Sequence, residues 1–301
     1  MRFILEKKMG LTRRAFVLGF LLIFFCLSKV IAEAQMNIIN EIQINSWNIN
    51  ACSWDQIMGD DGSIFQLEIV DQALCKLLPC IDRRLILEIA CGNGFLSRRF
   101  AKEGAFVYAL DSSAKFIEIA KERTSSELSN RIRYIIGDAT NANTYNQIDQ
   151  KFDVVICNMA FMDISDLISV FQGVKKLLKP EGMFIVTQTH PCFEKAVGPL
   201  FHEIDEEDGL MIHKVGVKVS NYLEPRSFNV KAVPTLNSDH MFFHRSLSHI
   251  FNIAFKEGFI INGFEEVAFS KNSTFSEHKG WHLLQDIPVV AGIRFKIDVP
   301  N

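Results

Sequence analysis

The 301-residue sequence has no CxxC pair and an odd number of cysteines, seven in all. This pattern argues against both a disulfide framework and a zinc site, and it suits a reducing compartment. No long basic run follows Arg14, and the net charge is −3. The sequence therefore lacks the clustered positive charge that is typical of nucleic-acid-binding proteins. Tyrosine and tryptophan are scarce, at 4 and 3 residues, beside 26 phenylalanines. We therefore expect a Phe-rich interior, with an apolar substrate pocket as the alternative.

The first 35 residues differ in pattern from the rest of the chain. Basic residues precede an uncharged run from Ala15 to Ser28, and Ala32-Glu33-Ala34 resembles a cleavage site. This layout is typical of a secretory signal peptide, and the segment 12–18 resembles a twin-arginine export signal. Three interpretations stay open: a natural start at Met36, a membrane anchor over residues 15–32, or export.

From about residue 64 onward, apolar runs alternate with helical patterns, which predicts a Rossmann-like α/β fold. We predict strands over residues 85–91, 105–110, 132–136, 152–157, 183–189, 261–269 and 289–297. We predict helices over residues 64–78, 95–103, 114–123, 167–178 and 247–256. Residues 190–239 have no strong period, which favours a lid or binding insertion within one domain over residues 36–301.

The strongest functional signal is EIACGNG, Glu88 to Gly94, where the first predicted strand turns into a helix. Glycine lets the backbone approach a ligand closely, and a helix N-terminus offers unpaired N–H groups. The motif alone also occurs in nicotinamide enzymes and in purely structural turns. Glu88 within an apolar strand is costly to bury unless it is paired, so it faces either a cofactor ammonium group or an internal salt-bridge partner.

Polar residues follow the other predicted strands at the edge where open α/β sheets bind ligands. Asp111 ends the second strand, where a carboxylate can accept the hydroxyls of a ribose. Asp138 follows the third strand and could accept an adenine amino group. Asn158 and Met159 follow the fourth strand. The structural alternatives are a helix cap for Asp111 and a turn for Asp138.

Together these motifs give residues 47–297 a resemblance to class I S-adenosylmethionine-dependent methyltransferases, especially small-molecule enzymes of methyltransferase type 11. The matching segments are Trp54, Met58-Gly59-Asp60-Asp61-Gly62, EIACGNG, Asp111-Ser112, Gly137-Asp138-Ala139, CNMAFMD at 157–163, KPEG at 179–182, His190-Pro191-Cys192-Phe193, His244-Arg245 and Gly258-Phe259. The resemblance implies a seven-stranded sheet whose last strand is antiparallel. It also implies S-adenosyl-L-methionine as cofactor and a small molecule as methyl acceptor.

Under this resemblance the cofactor-binding residues are expected at the ends of the strands, with Asn158 and Met159 close to the sulfonium. They are Glu88, Ala90, Cys91, Gly92, Asn93, Gly94, Asp111, Ser112, Asp138, Ala139, Asn158 and Met159. We expect no metal and no nucleic-acid partner. A cytoplasmic location is expected as well, because the methyl donor is a cytoplasmic metabolite.

The acceptor side has weaker candidates, each with a structural alternative. His190 is the candidate base, or else a hydrogen-bonded residue that shapes the turn before Pro191. Trp54 and Met58 belong to a segment that could fold over the cofactor as a lid; the alternative is that Gly59 and Gly62 simply mark a surface turn. His244 and Arg245 are substrate candidates, because arginine can bind a carboxylate. The alternative for this pair is a solvated helix start.

Two other functions remain open from the sequence, and the N-terminus leaves a third interpretation, an exported protein that has lost cofactor use. A nicotinamide-dependent oxidoreductase would favour a third glycine at position 97, where Ser97 stands. A catalytically inactive methyltransferase fold that acts as a binding module is the second. The intact glycine and acidic positions argue against it.

Overall fold

The computed structural model describes residues 31, 34–194, 198–270, 273 and 284–298. The chain divides into two compact units, Met1–Gln43 and Ile44–Asn301. The signal-like segment over residues 1–35 lies almost wholly outside the described residues, so its interpretation stays a prediction. Among the helices that are described, none has the length and apolar character needed to cross a membrane.

A seven-stranded sheet forms the centre of the second unit. Its strands are β1 (Leu85–Ile89), β2 (Phe106–Asp111), β3 (Ile132–Ile136), β4 (Phe152–Asn158), β5 (Leu178–Thr189), β10 (Phe259–Val267) and β11 (Val290–Ile297). They lie in the order β10-β11-β5-β4-β1-β2-β3, and only β11 runs antiparallel to the other strands of this sheet. The predicted Rossmann-like sheet with an antiparallel last strand is therefore confirmed.

Helices cover both faces of this sheet. They are residues 44–58 of α1 (34–58), α2 (Asp71–Leu77), α3 (Phe95–Lys102), α4 (Ala114–Glu122), α5 (Ser126–Ser129), α6 (Ala142–Asn146), α7 (Leu167–Leu177) and α8 (Leu247–Lys256). A π-helical turn, Gln66–Val70, leads into α2. Ser113, Asp166 and Ser246 cap α4, α7 and α8 by accepting a backbone N–H of the first turn. Of α1, residues 44–58 belong to the second unit.

The core on the α7–α8 face is built around phenylalanine, as the composition predicts. The ring of Phe171 packs edge-on against Phe161, Phe259 and Phe295, with centroids 5.9, 5.3 and 5.2 Å away. Edge-to-face pairs of this kind are stabilising beyond the area they bury. They fix α7 against the sheet just after the end of β4.

Two predictions about chain organisation differ from the structure. Residues 190–239, for which no regular element was predicted, contain three strands, and a fourth strand follows at once, so that two hairpins form. Their strands are β6 (Leu200–Glu207), β7 (Leu210–Val217), β8 (Arg226–Val230) and β9 (His240–His244). Strand β6 is largely exposed on both faces, which removes the apolar alternation that would have revealed it.

The second difference concerns KPEG at residues 179–182, which comes before the predicted strand over residues 183–189. The structure places residues 179–182 inside β5, as an irregularity between the pairs Phe152 with Leu178 and Val154 with Met183. A bulge inserts extra residues into one strand without ending it, so turn residues fit there. Lys179 uses this position to reach Asp153, with Nζ 2.8 Å from Oδ1.

Candidate active site

The loop after β1 provides the centre of the site. Ala90 and Gly92 both have left-handed backbones, with φ of +57° and +55°. The Gly92 N–H donates to Asp111 Oδ2 across 2.8 Å, which joins the end of β1 to the end of β2. A Cβ built on Gly92 would have no atom within 4 Å, so one side of this loop is open space. A ligand can therefore approach the backbone closely at this point.

Asp111 is 7% exposed, and its carboxylate is held in place by backbone N–H groups. Oδ1 accepts from Ser113 N at 2.8 Å, and Ser112 N contributes as well. Burial raises the pKa of Asp111 to about 6, against the hydrogen bonds from Ser113, Gly92 and Ser112. The carboxylate is consequently ionised at neutral pH and presents a fixed acceptor at the edge of the sheet.

Asn93 and Gly94 serve the loop itself. Asn93 is buried, and its Nδ2 donates to Asp55 Oδ1 and Gly59 O at 2.8 and 2.9 Å. Gly94 has φ +74°, and a Cβ there would lie 2.7 Å from Tyr134 Oη. Cys91 is buried, and its N–H donates to Leu110 O. These three residues hold the loop in shape and tie it to the segment after α1.

The predicted lid residues Trp54 and Met58 lie on α1. Met58 is buried in the core beneath α3, and Trp54 packs edge-on against Trp47 with centroids 5.6 Å apart. Below them Arg123, at the end of α4, binds both oxygens of Asp55. Helix α1 is thus fixed beside the glycine loop by an ion pair as well as by aromatic packing.

Glu88 is almost completely buried in β1. It accepts a hydrogen bond from the Ser97 hydroxyl on α3. Burial raises its pKa to about 8; the bond from Ser97 opposes this shift and the charge of Asp111 adds to it. Ser97 occupies the position where a nicotinamide fingerprint would place a third glycine, and here its side chain supports Glu88.

Asp138 and Ala139 form the turn after β3. The half-buried Asp138 carboxylate accepts from Thr140 N at 2.8 Å and from the Thr140 hydroxyl. The buried Tyr145 hydroxyl donates to Ala139 O at 2.8 Å. The turn is therefore rigid. The Asp138 contacts are those expected of a residue that stabilises this turn.

Asn158 and Met159 end β4 in a similarly fixed geometry. Met159 has φ +53°, and its N–H donates to Thr187 O at 2.8 Å. Asn158 accepts from the Thr187 hydroxyl at 2.7 Å and donates to Gln66 Oε1 at 3.0 Å. Gln66 is a site-edge residue that the sequence analysis missed. Its only sequence signal is a polar residue at a buried position of a helical pattern.

His190 lies just beyond β5, as predicted, but its ring is 1% exposed and both nitrogens are engaged. Nδ1 accepts from Cys192 N at 3.2 Å, and Nε2 lies 2.8 Å from Glu266 Oε1. Burial lowers the pKa of His190, although the bond to Glu266 opposes that shift. The neutral ring therefore carries its proton on Nε2 and donates it to Glu266.

His244 and Arg245 are buried, not solvated. His244 Nε2 donates to Tyr222 O at 2.8 Å, and Nδ1 is hydrogen-bonded to Glu194 Oε1. Arg245 donates to the carbonyls of Phe161, Ile164 and Ser165. The solvated helix start is therefore wrong for this pair. Glu194, buried and also bonded to the Thr189 hydroxyl, was missed by the sequence analysis.

Asp163 does not cap α7, because Asp166 performs that role. Instead, Asp163 Oδ1 lies 3.5 Å from Nε2 of the buried His240. Burial raises the pKa of Asp163 well above its usual value and lowers that of His240 to about 4. Within the described part of the chain, no group of three or more metal-ligating side chains is found.

Comparison with known families identifies this arrangement, since residues 83–225 match the family model described as "Methyltransferase domain". Over these residues, just under half of the chain, the sequence is similar to that methyltransferase family. The match includes the glycine loop, Asp111, Asp138, Asn158 and His190. Helix α1 and the pair His244-Arg245 lie outside it.

Curated relatives of the methyltransferase domain are similar over part of their length. A ubiquinone biosynthesis O-methyltransferase from Hydrogenovibrio crunogenus is 26% identical over 141 residues, 46% of this chain and 57% of the relative. The mitochondrial protein of the same name from Schizosaccharomyces pombe is 32% identical over 36% of this chain and 39% of its own. A malonyl-[acyl-carrier protein] O-methyltransferase from Priestia megaterium is 29% identical over 37% and 42%. The chain thus spans less than two thirds of these relatives.

Solved structures share the methyltransferase fold over most of the chain. An S-adenosylmethionine-dependent methyltransferase from Mesorhizobium loti has a TM-score of 0.57 at 20% identity, covering 79% of this chain and 99% of that one. The CcbJ methyltransferase from Streptomyces caelestis has a TM-score of 0.56 at 14% identity, covering 84% and 98%. At these identities the likeness concerns the fold.

Proposed function

We propose that this protein is an S-adenosylmethionine-dependent methyltransferase that acts on a small-molecule acceptor. The observation that carries the proposal is the Asp111 carboxylate, fixed by backbone N–H groups beside the left-handed, open-sided loop at Gly92. A fixed ionised carboxylate next to accessible backbone suits a ribose whose hydroxyls need acceptors. Such a site fits an adenosyl group better than a purely structural turn.

The residues that would hold the cofactor follow from this geometry. Asp111 would accept from the ribose hydroxyls, and Asp138 from the adenine amino group. The backbone of Ala90 and Gly92 would pass beside the methionine part, with Glu88 behind it. When bound, S-adenosylmethionine supplies a methyl group carried on a positively charged sulfur.

The chain's own task is alignment and exclusion of water, because methyl transfer requires no covalent intermediate on the protein. The rigid ends of β1, β2 and β4 would position S-adenosylmethionine. Residues 44–58 of α1 lie beside the same edge of the sheet. We propose that His190 positions the turn after β5. Its Nε2 carries a proton directed to Glu266, so a role as base would fall to Nδ1, and the hydrogen bond that Nδ1 accepts from Cys192 N would have to break.

The acceptor atom is proposed from the relatives. Two of them are named O-methyltransferases of ubiquinone biosynthesis and a third is named for malonyl-[acyl-carrier protein]. On that ground we propose an oxygen atom of a small molecule as the methyl acceptor. Ser97 stands where a nicotinamide fingerprint has a third glycine, and its hydroxyl donates to Glu88. This also disfavours the nicotinamide alternative.

Calorimetry with S-adenosylhomocysteine tests the proposed cofactor site. Wild type should bind, and Asp111→Ala should lose about 1.5–3 kcal/mol, the usual magnitude for hydrogen bonds to a charged group. The matched control is Asp149→Ala, on an exposed loop before β4, which should bind like wild type. Equal affinities for Asp111→Ala and the control would refute the role of Asp111. Absence of binding by wild type would refute the cofactor itself.

For the organisation of the chain, we propose one methyltransferase domain over residues 36–301, with its insertion at about 190–239. A cytoplasmic location is proposed with it, because the methyl donor is made there. Mass spectrometry of the purified protein's N-terminus separates the three interpretations of the first 35 residues. A mature chain cleaved after Ala34 and found outside the cytoplasm would contradict this proposal.

A further inference from the structure

The segment that leads into β9 is hydrogen-bonded to α1. Asn50 of α1 donates from its Nδ2 to Ser238 O and accepts from Ser238 N, and both distances are 2.8 Å. Asn237 Nδ2 donates to the Ser53 hydroxyl at 2.9 Å. We call residues 236–240 the strap. Three hydrogen bonds thus hold the strap against the second half of α1.

The same part of α1 also contacts the start of α4, next to the proposed ribose acceptor. Asn48 Oδ1 accepts from the Ser113 hydroxyl at 2.7 Å and from Lys115 N at 3.3 Å. Ser113 N in turn donates to Asp111 Oδ1. Residues two apart on a helix point about 200° away from each other, so Asn48 and Asn50 lie on opposite sides of α1. Helix α1 therefore has the end of β2 on one side and the strap on the other.

On its far side the strap reaches the loop after β4. His240 Nε2 is 3.5 Å from Oδ1 of Asp163, in the 3₁₀ turn that follows β4, and the His240 ring lies against Trp47 with centroids 4.6 Å apart. Strand β1 lies between β2 and β4 in the sheet. The second half of α1 and the strap together therefore span the sheet edge from the end of β2 to the turn after β4, across the glycine loop that follows β1.

The contacts that hold the strap closed are ones that water can replace. Hydrogen bonds of this kind contribute only modestly to stability, because each one exchanges for bonds to water. His240 even opposes closure: it is 3% exposed, and within the described part of the chain its Nδ1 has no hydrogen-bond partner. Opening hydrates this nitrogen, which offsets part of the lost contacts. The strap can therefore open without unfolding of the sheet.

We propose that the strap is a gate over the cofactor crevice, which has to open before S-adenosylhomocysteine leaves and the next S-adenosylmethionine enters. The proposal rests on the proposed function, because it concerns exchange at that same site. Asn50 and Asn237, which hold the strap against α1, set the rate of this exchange without contributing to affinity.

Contacts that hold a gate have a distinctive kinetic effect. The bonds of Asn50 and Asn237 join the strap to α1, so they are made whether the cofactor site is empty or filled. Weakening them raises the open fraction equally in both states. The rate constants of association and dissociation should then rise by the same factor, and Kd should stay the same. A residue that supports the bound ligand would instead raise the dissociation rate alone and weaken the affinity.

Stopped-flow fluorescence over a range of S-adenosylhomocysteine concentrations measures both rate constants. Asn237→Ala removes one hydrogen bond and should raise both about fivefold, whereas Asn50→Ala removes two and should raise both about twentyfold. Kd should match that of wild type in each variant. Asn262→Ala, on the edge strand β10, removes an exposed bond to Arg294 and is the matched control. Its rate constants should equal those of wild type.

Hydrogen exchange tests the opening without any ligand. The Ser238 amide donates to Asn50 Oδ1, so its exchange reports how often the strap opens. It should be about fivefold faster in Asn237→Ala than in wild type, the effect expected for one lost hydrogen bond, and unchanged in Asn262→Ala. Asn237 is exposed, so its variant decides the question even if the buried Asn50→Ala fails to fold.

The outcomes keep the gate and the proposed function apart. If S-adenosylhomocysteine binds but Asn237→Ala has wild-type rate constants, the gate is overturned and the proposed function stands. Faster dissociation with weakened affinity would also overturn it, because the strap would then support the bound ligand. If wild type does not bind S-adenosylhomocysteine, the proposed function fails and the gate falls with it, even where Ser238 exchanges as expected.

Discussion

At the scale of single residues, the two glycines of EIACGNG have the same backbone preference and different surroundings. Both adopt positive φ, which disfavours a side chain by about 1 kcal/mol. A Cβ on Gly94 would also collide with Tyr134 Oη at 2.7 Å and touch Ala120, whereas a Cβ on Gly92 meets nothing. Gly92 faces the open crevice, and Gly94 faces the core.

These surroundings predict different effects of the two alanine substitutions, one mainly on stability and the other mainly on ligand affinity. Gly94→Ala should lower the free energy of unfolding by a further 1–3 kcal/mol or so through overpacking. Gly92→Ala should cost about 1 kcal/mol of stability but weaken S-adenosylhomocysteine binding at least tenfold, because its methyl group enters the space left for a ligand. Urea unfolding and calorimetry measure both quantities. Equal losses of stability and affinity in the two variants would contradict this division of roles.

Glu88 predicts a pH dependence of stability. Its pKa is about 8 in the folded chain and about 4.3 when unfolded, so the folded state keeps a proton that the unfolded state has lost between these values. Stability from this group is therefore fully present below about pH 4.3 and falls as the pH rises to about 8. Gln cannot titrate, so Glu88→Gln should gain stability relative to wild type over this range, by an amount on the order of several kcal/mol.

Urea unfolding of both proteins between about pH 6.5 and pH 8.5 measures that difference. Asp111, whose pKa is about 6, is present in both proteins and completes most of its titration below this range. Parallel stability curves for wild type and Glu88→Gln would show that Glu88 does not hold its proton.

At this scale the sequence was most informative about which residues reach the site and least informative about their contacts. Asp111 and Gly92 were predictable because a strand end and a glycine turn fix their positions. The bond of His190 to Glu266 joins residues 76 positions apart, one just after β5 and the other on β10. Single-sequence reasoning has no access to such a pairing, because it depends on which strands become neighbours.

At the scale of elements, α1 is attached to the glycine loop through an ion-pair network. Arg123 at the end of α4 donates to both Asp55 oxygens, and Asp55 also accepts from Asn93. Burial tends to raise the pKa of Asp55, but the bonds from Arg123 and Asn93 lower it overall. The sequence did not predict α1 as a helix, so it could not predict the ion pair between Asp55 and Arg123.

Removing the arginine should loosen α1 from the loop. Arg123→Leu leaves the Asp55 carboxylate without its partner, and since the pair is partly exposed, the free energy of unfolding should fall by about 1–2 kcal/mol. S-adenosylhomocysteine should also dissociate faster, which stopped-flow fluorescence can measure. The control Lys115→Leu breaks the exposed pair with Glu118 on the same helix and should change stability by less than about 0.5 kcal/mol. An unchanged dissociation rate in Arg123→Leu would show that the attachment of α1 does not slow the release of S-adenosylhomocysteine.

At the scale of the whole molecule, the order β10-β11-β5-β4-β1-β2-β3 explains why distant motifs converge. Parallel strands place the loops after β1, β2, β3 and β4 on one edge, so residues far apart in sequence meet there. The periodicity of buried strands made that sheet predictable. The insertion was not, although Asp208-Gly209 is a hairpin signal, because its flanking strands are mostly exposed and carry no alternation to support it.

If the insertion is peripheral to the sheet, the outer half of the β6–β7 hairpin should be removable. Deleting residues 203–206 and 211–214 joins His202 to Glu207 and Leu210 to Val215. The Asp208-Gly209 turn is kept, and an even number of residues is removed from each strand, so every remaining side chain keeps its face. Leu200, Val215 and Val217, which pack against the core, are retained. The shortened protein should bind S-adenosylhomocysteine within about twofold of wild type and unfold within about 1 kcal/mol of it, because the deleted strand residues are mostly exposed. Loss of that binding in a variant that still unfolds cooperatively would make the hairpin tip part of the cofactor site, and the division into a core domain and an insertion would have to be redrawn.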